Sequence, residues 1–255
     1  MFTPYFEIIQ THFILIIGFF VVALLYSSVG FGGGSSYLAL LSLTSISFVE
    51  YRAIALICNI LVVSVGTFLY AKKEFLDWKK VIPIVVLSIP MAFIGGYINV
   101  DKTFFLILLG STLIVAAILM LSKKSNSKSK KNTTIKSVII GGFIGFISGL
   151  VGIGGGIFLS PFLHLSNWDT VKKIAATSSF FILVNSVSGL IGQIQNPIFK
   201  LNIPLVFILA GAVFVGAQIG SRISLKYINP RVLKIMTAFL IASVGTRLLV
   251  YNIML

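Results

Sequence analysis

Charged residues are scarce in this chain, and acidic residues are the scarcest. Charged residues make up 10% of the 255 positions, and only six residues are Asp or Glu. A soluble domain has about a quarter charged residues, so this chain cannot cover a surface that faces water. The single cysteine, Cys58, excludes an internal disulfide framework, and its place in an apolar run indicates a packing role.

Acidic residues are also absent from the middle of every apolar run. Each of the six lies at the end of an apolar segment: Glu7, Glu50, Glu74, Asp77, Asp101 and Asp169. Cation sites and proton relays inside membranes usually need a carboxylate within a span, so the sequence argues against a metal or organic-cation transporter. Because no Cys–His cluster or buried carboxylate pair is evident, we expect neither an enzyme nor a cofactor. An anion is left as the natural cargo.

Apolar residues are abundant and make up 57% of the chain. Runs such as Ile54–Tyr70, Phe104–Leu121 and Ile203–Ile219 approach the roughly 20 residues that a membrane-spanning helix needs. Because lipid cannot satisfy backbone polar groups, the spans should be α-helices. We predict long helices at about 51–71, 80–99, 103–122, 171–193, 203–226 and 231–250.

A glycine-rich stretch occurs twice. VGFGGGSSYLALLSL at 29–43 returns as VGIGGGIFLSPFLHL at 151–165, and each copy places four glycines within five positions. Glycine tolerates positive φ and removes side-chain bulk, and irregular backbone survives in a membrane only where protein or water covers it. We therefore predict two interior helix breaks. Short apolar arms flank them, at about 12–28, 35–48, 137–150 and 157–168.

The duplicated motif indicates two similar halves. The most polar stretch, 123–136, divides the chain into a first membrane repeat at 1–122 and a second at 137–255. Beyond the glycines, Ala53–Gly66 can be aligned with Ala176–Gly189.

The basic residues favour one orientation of these halves. Each glycine stretch either kinks a single crossing or forms the tip of a helical hairpin that enters and returns. With hairpins, 16 of the 20 basic residues fall on one side, whereas kinked crossings split them. The positive-inside rule therefore favours hairpins. The same rule accounts for the net charge of +14, so we expect no nucleic-acid partner.

The predicted fold is an all-α polytopic protein of the cell membrane, built from two inverted repeats. Each repeat has a glycine-broken helical hairpin and three transmembrane helices, which makes eight hydrophobic segments, or ten if hairpin arms are counted separately. The 123–136 linker is predicted to be cytoplasmic and both termini extracytoplasmic. Because the hairpins enter from opposite sides, their tips should meet near the midplane, as in many secondary transporters.

These tips supply a candidate anion site without a basic side chain. A new helix begins near Ser35 and near Ile157, and the first N–H groups of a helix lack partners within it and attract anions. Packing is the alternative role for the glycines, since small residues four apart let helices approach closely. The predicted substrate-binding residues are Gly32, Gly33, Gly34, Ser35, Ser36, Asn59, Gly154, Gly155, Gly156, Ile157, Thr177, Ser178 and Gln218.

The paired V-G-F/I-G-G-G motifs, one at the start of each apolar half, resemble the sulfite exporter TauE/SafE family, also called the 4-toluene sulfonate uptake permease family. The copy GLVGIGGGIFLSPFL at 149–163 is similar to the family's signature, including Pro161, whereas the first copy has Ala39 at the matching place. The resemblance implies membrane transport of small sulfur-containing anions or organic acids, inward or outward.

We therefore expect a secondary transporter of a small anion, such as a sulfur-containing oxyanion or organosulfonate, that works by alternating access around the glycine tips. An anion channel that uses the same half-helix ends is the alternative. The expected partners are the lipid bilayer and the anionic substrate. The sequence leaves open which anion is carried, in which direction, and whether two protomers form a homodimer.

Overall fold

The computed structural model describes residues 9–28, 30–41, 44, 46–98 and 134–227, with scattered residues between 103 and 118 and between 232 and 250. Regular secondary structure in these parts of the chain is helical throughout. The helices with defined bounds are α1 (Phe13–Ser28), α2 (Gly34–Leu41), α3 (Phe48–Lys72), α4 (Trp78–Tyr97), α5 (Thr134–Val151), α6 (Gly156–Leu165), α7 (Val171–Ile194) and α8 (Ile203–Tyr227).

Four of these helices, α3, α4, α7 and α8, are long and apolar enough to cross a membrane, and α1, α5 and α6 are shorter apolar helices. The four long helices confirm four of the six long helices predicted above. Large side chains such as Phe68, Phe143 and Phe207 are at least 65% exposed, and such a surface suits contact with lipid rather than water. The protein is an all-helical polytopic membrane protein.

Some predictions concern other parts of the chain. The helices predicted at 103–122 and 231–250 lie largely outside the described residues. Residues 123–133 of the basic linker and both chain termini lie outside them as well.

Glycines let α5 lie directly against α4. A Cβ atom on Gly141 would overlap the Ile84 carbonyl, and one on Gly149 would overlap the Ala92 carbonyl. Both helices advance in the same direction along this contact, so α4 and α5 run parallel. Close approach of this kind is the packing role that the four-residue spacing of small residues predicts.

The contact between α1 and α8 follows the same pattern. A Cβ atom on Gly216 would lie 2.6 Å from the Phe20 carbonyl oxygen, and one on Gly220 would overlap the Leu24 carbonyl. These helices also run parallel. In each case the fourth helix of one half packs on the first helix of the other half.

The most buried of the long helices, α3 and α7, pack on each other and run antiparallel. A Cβ atom on Gly66 would lie 3.1 Å from Ser179 Oγ, and one on Gly189 would lie 3.8 Å from Leu56 Cδ1. In the alignment of the two halves, Gly66 is equivalent to Gly189 and Leu56 to Ser179. The contact of Gly66 with Ser179 therefore has the contact of Gly189 with Leu56 as its equivalent in the other half. Antiparallel packing of equivalent spans suits inverted repeats, which stay a prediction.

Two polar contacts define the ends of the bundle. Lys80 Nζ, in the first turn of α4, lies 2.6 Å from Asp169 Oδ2, which follows α6. The backbone N–H of Asn202 donates to Glu50 Oε1 at 2.9 Å, just before α8 and within the first turn of α3. Because α5 runs parallel to α4, the segment from α5 to α6 begins and finishes at the Lys80 end. Because α1 runs parallel to α8, which begins beside Glu50, α1 also begins at the Glu50 end. The connection from α2 to α3 lies at this end as well.

Candidate functional site

Each helix break ends at a glycine whose backbone an ordinary residue rarely adopts. Gly33 has a φ of 86° directly before α2, and Gly155 has a φ of 76° directly before α6. An L-residue in this left-handed region is strained, whereas glycine is not. The chain can therefore stop one helix and start the next within a few residues.

The two glycine-rich tips touch each other inside the bundle. A Cβ atom on Gly34 would lie 3.0 Å from Ile153 Cα, and one on Gly156 would lie 3.5 Å from a ring carbon of Phe31. Gly34 and Gly156 occupy matching places in the two motifs, as do Phe31 and Ile153, so this contact also survives exchange of the halves. The N-termini of α2 and α6 consequently lie close together, away from both ends of the bundle.

Asn59 lies between the tips, about half-way along α3. It is fully buried, and its amide would meet a Cβ atom on Gly32 or on Gly34. Asn59 Nδ2 also lies 3.3 Å from the Cβ position of Gly154. Within the described parts of the chain, neither Nδ2 nor Oδ1 has a hydrogen-bond partner. Buried amides are normally hydrogen-bonded because leaving them unpaired is costly, so this amide has an unused donor and an unused acceptor inside the bundle.

Two serines that the sequence analysis did not select lie at the second tip. Ser186 Oγ lies 2.5 Å from the Cβ position of Gly154, and Ser148 Oγ lies 3.1 Å from that of Gly155. Both hydroxyls are buried without a hydrogen-bond partner in the described residues. The available signal was spacing, since Ser186 lies two helical turns after the predicted Ser178 and on the same face of α7.

The other predicted residues fall into two groups. The structure brings the tip residues together, with Ser35 and Ile157 buried in the first turns of α2 and α6. Thr177 and Ser178 are fully buried on α7, one turn before Phe181 and Ile182, which contact the second tip.

Two predicted residues make other contacts. The Ser36 hydroxyl donates to the Tyr26 hydroxyl at 2.9 Å. Gln218 is half-buried on α8, and its backbone carbonyl accepts a hydrogen bond from Arg222 Nη1 at 3.1 Å. On the same helix, Gly216 and Gly220 pack against α1 rather than against the tips.

Arg52 is a buried cation, and it is one of the four basic residues that lie outside the group of 16 in the predicted topology. It is 2% exposed, and its Nη2 donates to the Gly149 carbonyl at 3.2 Å, in the last turn of α5. Its Cβ lies 3.3 Å from the Cβ position of Gly152. In the sequence, an arginine close to the start of a helix resembles a charge at the membrane surface that sets the topology. Only its packing against the second break shows that Arg52 is buried.

The tips can donate hydrogen bonds from both the backbone and side chains. The first backbone N–H groups of α2 and α6 carry the partial positive charge of a helix N-terminus. Asn59, Ser148 and Ser186 add polar side chains that can donate hydrogen bonds. The acidic residues that the structure describes lie at the ends of helices, away from the tips.

The helices define a polytopic membrane protein, and comparison with known proteins identifies its family. The profile of the family described as "Sulfite exporter TauE/SafE" matches residues 14–248. The chain therefore belongs to the TauE/SafE family of membrane transporters.

Curated relatives agree with this assignment. The chain is 33% identical over 241 residues to a probable membrane transporter protein of Sinorhizobium fredii, covering 92% of this chain and 97% of that protein. It is 30% identical over 256 residues to a probable membrane transporter protein of Methanocaldococcus jannaschii, covering 91% and 93% of the two chains. No solved structure gives a significant match.

Proposed function

We propose that the protein is a secondary transporter of the cell membrane that carries a small anion by alternating access around the two glycine tips. The observation that carries this proposal is the Asn59 amide, which is buried between two helix N-termini with both polar atoms unpartnered in the described residues. An anion that accepts from Asn59 Nδ2 and from the first N–H groups of α2 and α6 would satisfy these donors together.

Support for an inverted arrangement comes from the two ends of the bundle. Under single kinked crossings, the 73–77 and 166–170 loops would lie on opposite sides of the membrane. Lys80 and Asp169 flank or belong to these loops and are in contact, which favours hairpins. We assign the Lys80 end to the cytoplasm because the basic residues cluster there, which makes the termini extracytoplasmic.

Alternating access follows from this arrangement. Each hairpin would reach the shared site from its own side, so a movement of one half against the other could expose the tips to either face in turn. Tips that contact each other suit a carrier, since a channel requires a continuous open path.

The substrate class is proposed from the family. Its description names sulfite, so we infer a sulfur-containing oxyanion or organosulfonate of similar size. Backbone N–H groups and neutral side chains suit such anions because they hydrogen-bond oxygen without a fixed ion pair.

A ligand panel on the purified protein tests the binding site. Thermal unfolding would be followed with sulfite, sulfate, thiosulfate, sulfoacetate, taurine and simple carboxylates. We expect at least one oxyanion to raise the melting temperature of the wild type and to have no effect on Asn59→Ile, which introduces the residue found at the equivalent position, Ile182. Asn196→Leu is the matched control, since Asn196 Nδ2 binds the Tyr97 carbonyl at the end of the bundle.

Flux measurements then separate a carrier from a channel. In proteoliposomes, a carrier gives saturable uptake that is stimulated by substrate on the opposite side. Large ohmic currents without such stimulation would support the channel. A wild type that responds to no anion, or an Asn59→Ile variant that responds normally, would contradict the proposed site.

A further inference from the structure

We propose that Arg52 makes the second tip more electropositive than the first, and that it thereby sets the preference of the site for doubly charged anions. This inference rests on the proposed anion site. Arg52 acts in it through its charge beside the end of α5, at a distance from the anion rather than by contact with it.

The second tip joins two helix ends of opposite polarity. The last carbonyls of α5 carry a partial negative charge, directly beside the positive N-terminus of α6. An anion bound at this tip would be repelled by those carbonyls. Arg52 offsets the repulsion because its Nη2 donates to the Gly149 carbonyl at 3.2 Å and places a full positive charge beside it.

The first tip has no equivalent charge at this position. Arg52 and Ala175 directly precede the aligned segments Ala53–Gly66 and Ala176–Gly189, and both contact the first glycine of the facing motif. A Cβ atom on Gly30 would lie 3.0 Å from the Ala175 carbonyl oxygen. At the end of α1, the carbonyls of Leu24 and Leu25 accept from the neutral hydroxyls of Ser27 and Ser28. Among the residues that the structure describes, the two tips are therefore alike in backbone and different in charge.

Distance sets the size of the effect. Arg52 and Asn59 are two turns apart on α3, which separates them by about 10 Å along the helix axis. A unit charge at about 10 Å, with an effective dielectric constant of about 20, changes the affinity for a monovalent anion about 15-fold. For a divalent anion the factor is about the square of this value.

Titration of the intact purified protein with sulfate and with methanesulfonate tests the inference, since these anions have related shapes and different charges. We expect Arg52→Gln and Arg52→Met to lose at least ten times more affinity for sulfate than for methanesulfonate. Arg52→Lys should keep the wild-type ratio. Arg222→Gln is the matched control, because Arg222 makes a similar bond to a helix carbonyl, at Gln218, from an exposed position.

A purely structural role for Arg52 would lower the melting temperature and weaken both anions equally. An unchanged affinity ratio in the neutral variants, or a loss in Arg52→Lys as large as in Arg52→Gln, overturns the inference. If the neutral variants do not fold, a structure of the wild type bound to selenate tests the inference, because the heavy anion can be located directly. Selenate nearer to Gly155 than to Gly33 supports the inference, and the reverse position overturns it.

These outcomes are distinct from a failure of the proposed function. If the wild type binds neither anion, the proposed site falls and the role of Arg52 falls with it. If Asn59→Ile abolishes binding while the Arg52 variants keep the wild-type ratio, only the present inference is wrong.

Discussion

Replacing Gly155 by alanine tests the second helix break most sharply. The φ of 76° costs an L-residue about 1 kcal/mol or more. The new methyl group would also lie 2.9 Å from both Phe181 Cε1 and Ser148 Cβ. Such overpacking typically costs about 1–3 kcal/mol, so we expect Gly155→Ala to lower the free energy of unfolding by about 2–4 kcal/mol.

The matched control is Gly211→Ala on α8. A Cβ atom at Gly211 meets no atom of the described residues within 4 Å, and alanine is favoured over glycine inside a helix by up to about 1 kcal/mol. This variant should therefore be neutral or slightly more stable. Thermal unfolding in detergent, followed by intrinsic tryptophan fluorescence, compares the two, and anion titration shows whether the tip still binds. Equal stability and equal anion affinity in the two variants would refute the reasoning about the break.

Three further outcomes are expected. Gly149→Ala should lower the melting temperature because its methyl group would overlap the Ala92 carbonyl between α4 and α5, and a melting temperature equal to that of Gly211→Ala would contradict this packing. Burial alone raises the pKa of Asp169. Hydrogen bonds from Lys80 and the Thr170 N–H, together with the charges of Lys80 and Lys173, lower this pKa by more than burial raises it, so the net pKa lies below its ordinary value. Ionised Asp169 therefore stabilises the fold fully at pH values above the ordinary pKa of about 4. This contribution is lost as the pH falls through the lowered pKa. Asp169→Asn should remove this part of the dependence of the melting temperature on pH. Asn59→Asp should abolish anion binding through like-charge repulsion, whereas an Asn59→Asp protein that binds as tightly as the wild type would place the anion elsewhere.

Much of the helical framework could be predicted because the membrane limits the choices. Long apolar runs in lipid must be helical, and α3, α4, α7 and α8 begin and end within about three residues of the predicted bounds. The glycine breaks were visible because four glycines in five positions exceed what close packing needs. The alignment of Ala53–Gly66 with Ala176–Gly189 also identified the equivalent residues whose contacts survive exchange of the halves.

The parts of the site that escaped prediction depend on contacts between distant segments. Ser148 resembles a packing serine beside a glycine, and Ser186 is one of several small polar residues on α7. Their burial at the second tip follows from how α5 and α7 meet, which no local pattern records. Arg52 was counted only for its charge in the topology, because its contact with Gly149 spans 97 positions of sequence and no local pattern indicates it.

The central claim is that two hairpins enter the membrane from opposite sides and bring their tips together. In a Cys58→Ala background, single cysteines at Asn167, in the linker at Ser127, and at Ile198 would be labelled in intact cells with a membrane-impermeant thiol reagent. The account predicts that positions 127 and 167 are protected until the cells are opened, and that position 198 is labelled from outside. Labelling of 127 and 167 from opposite faces would contradict the inverted arrangement, and the shared anion site would have to be abandoned with it.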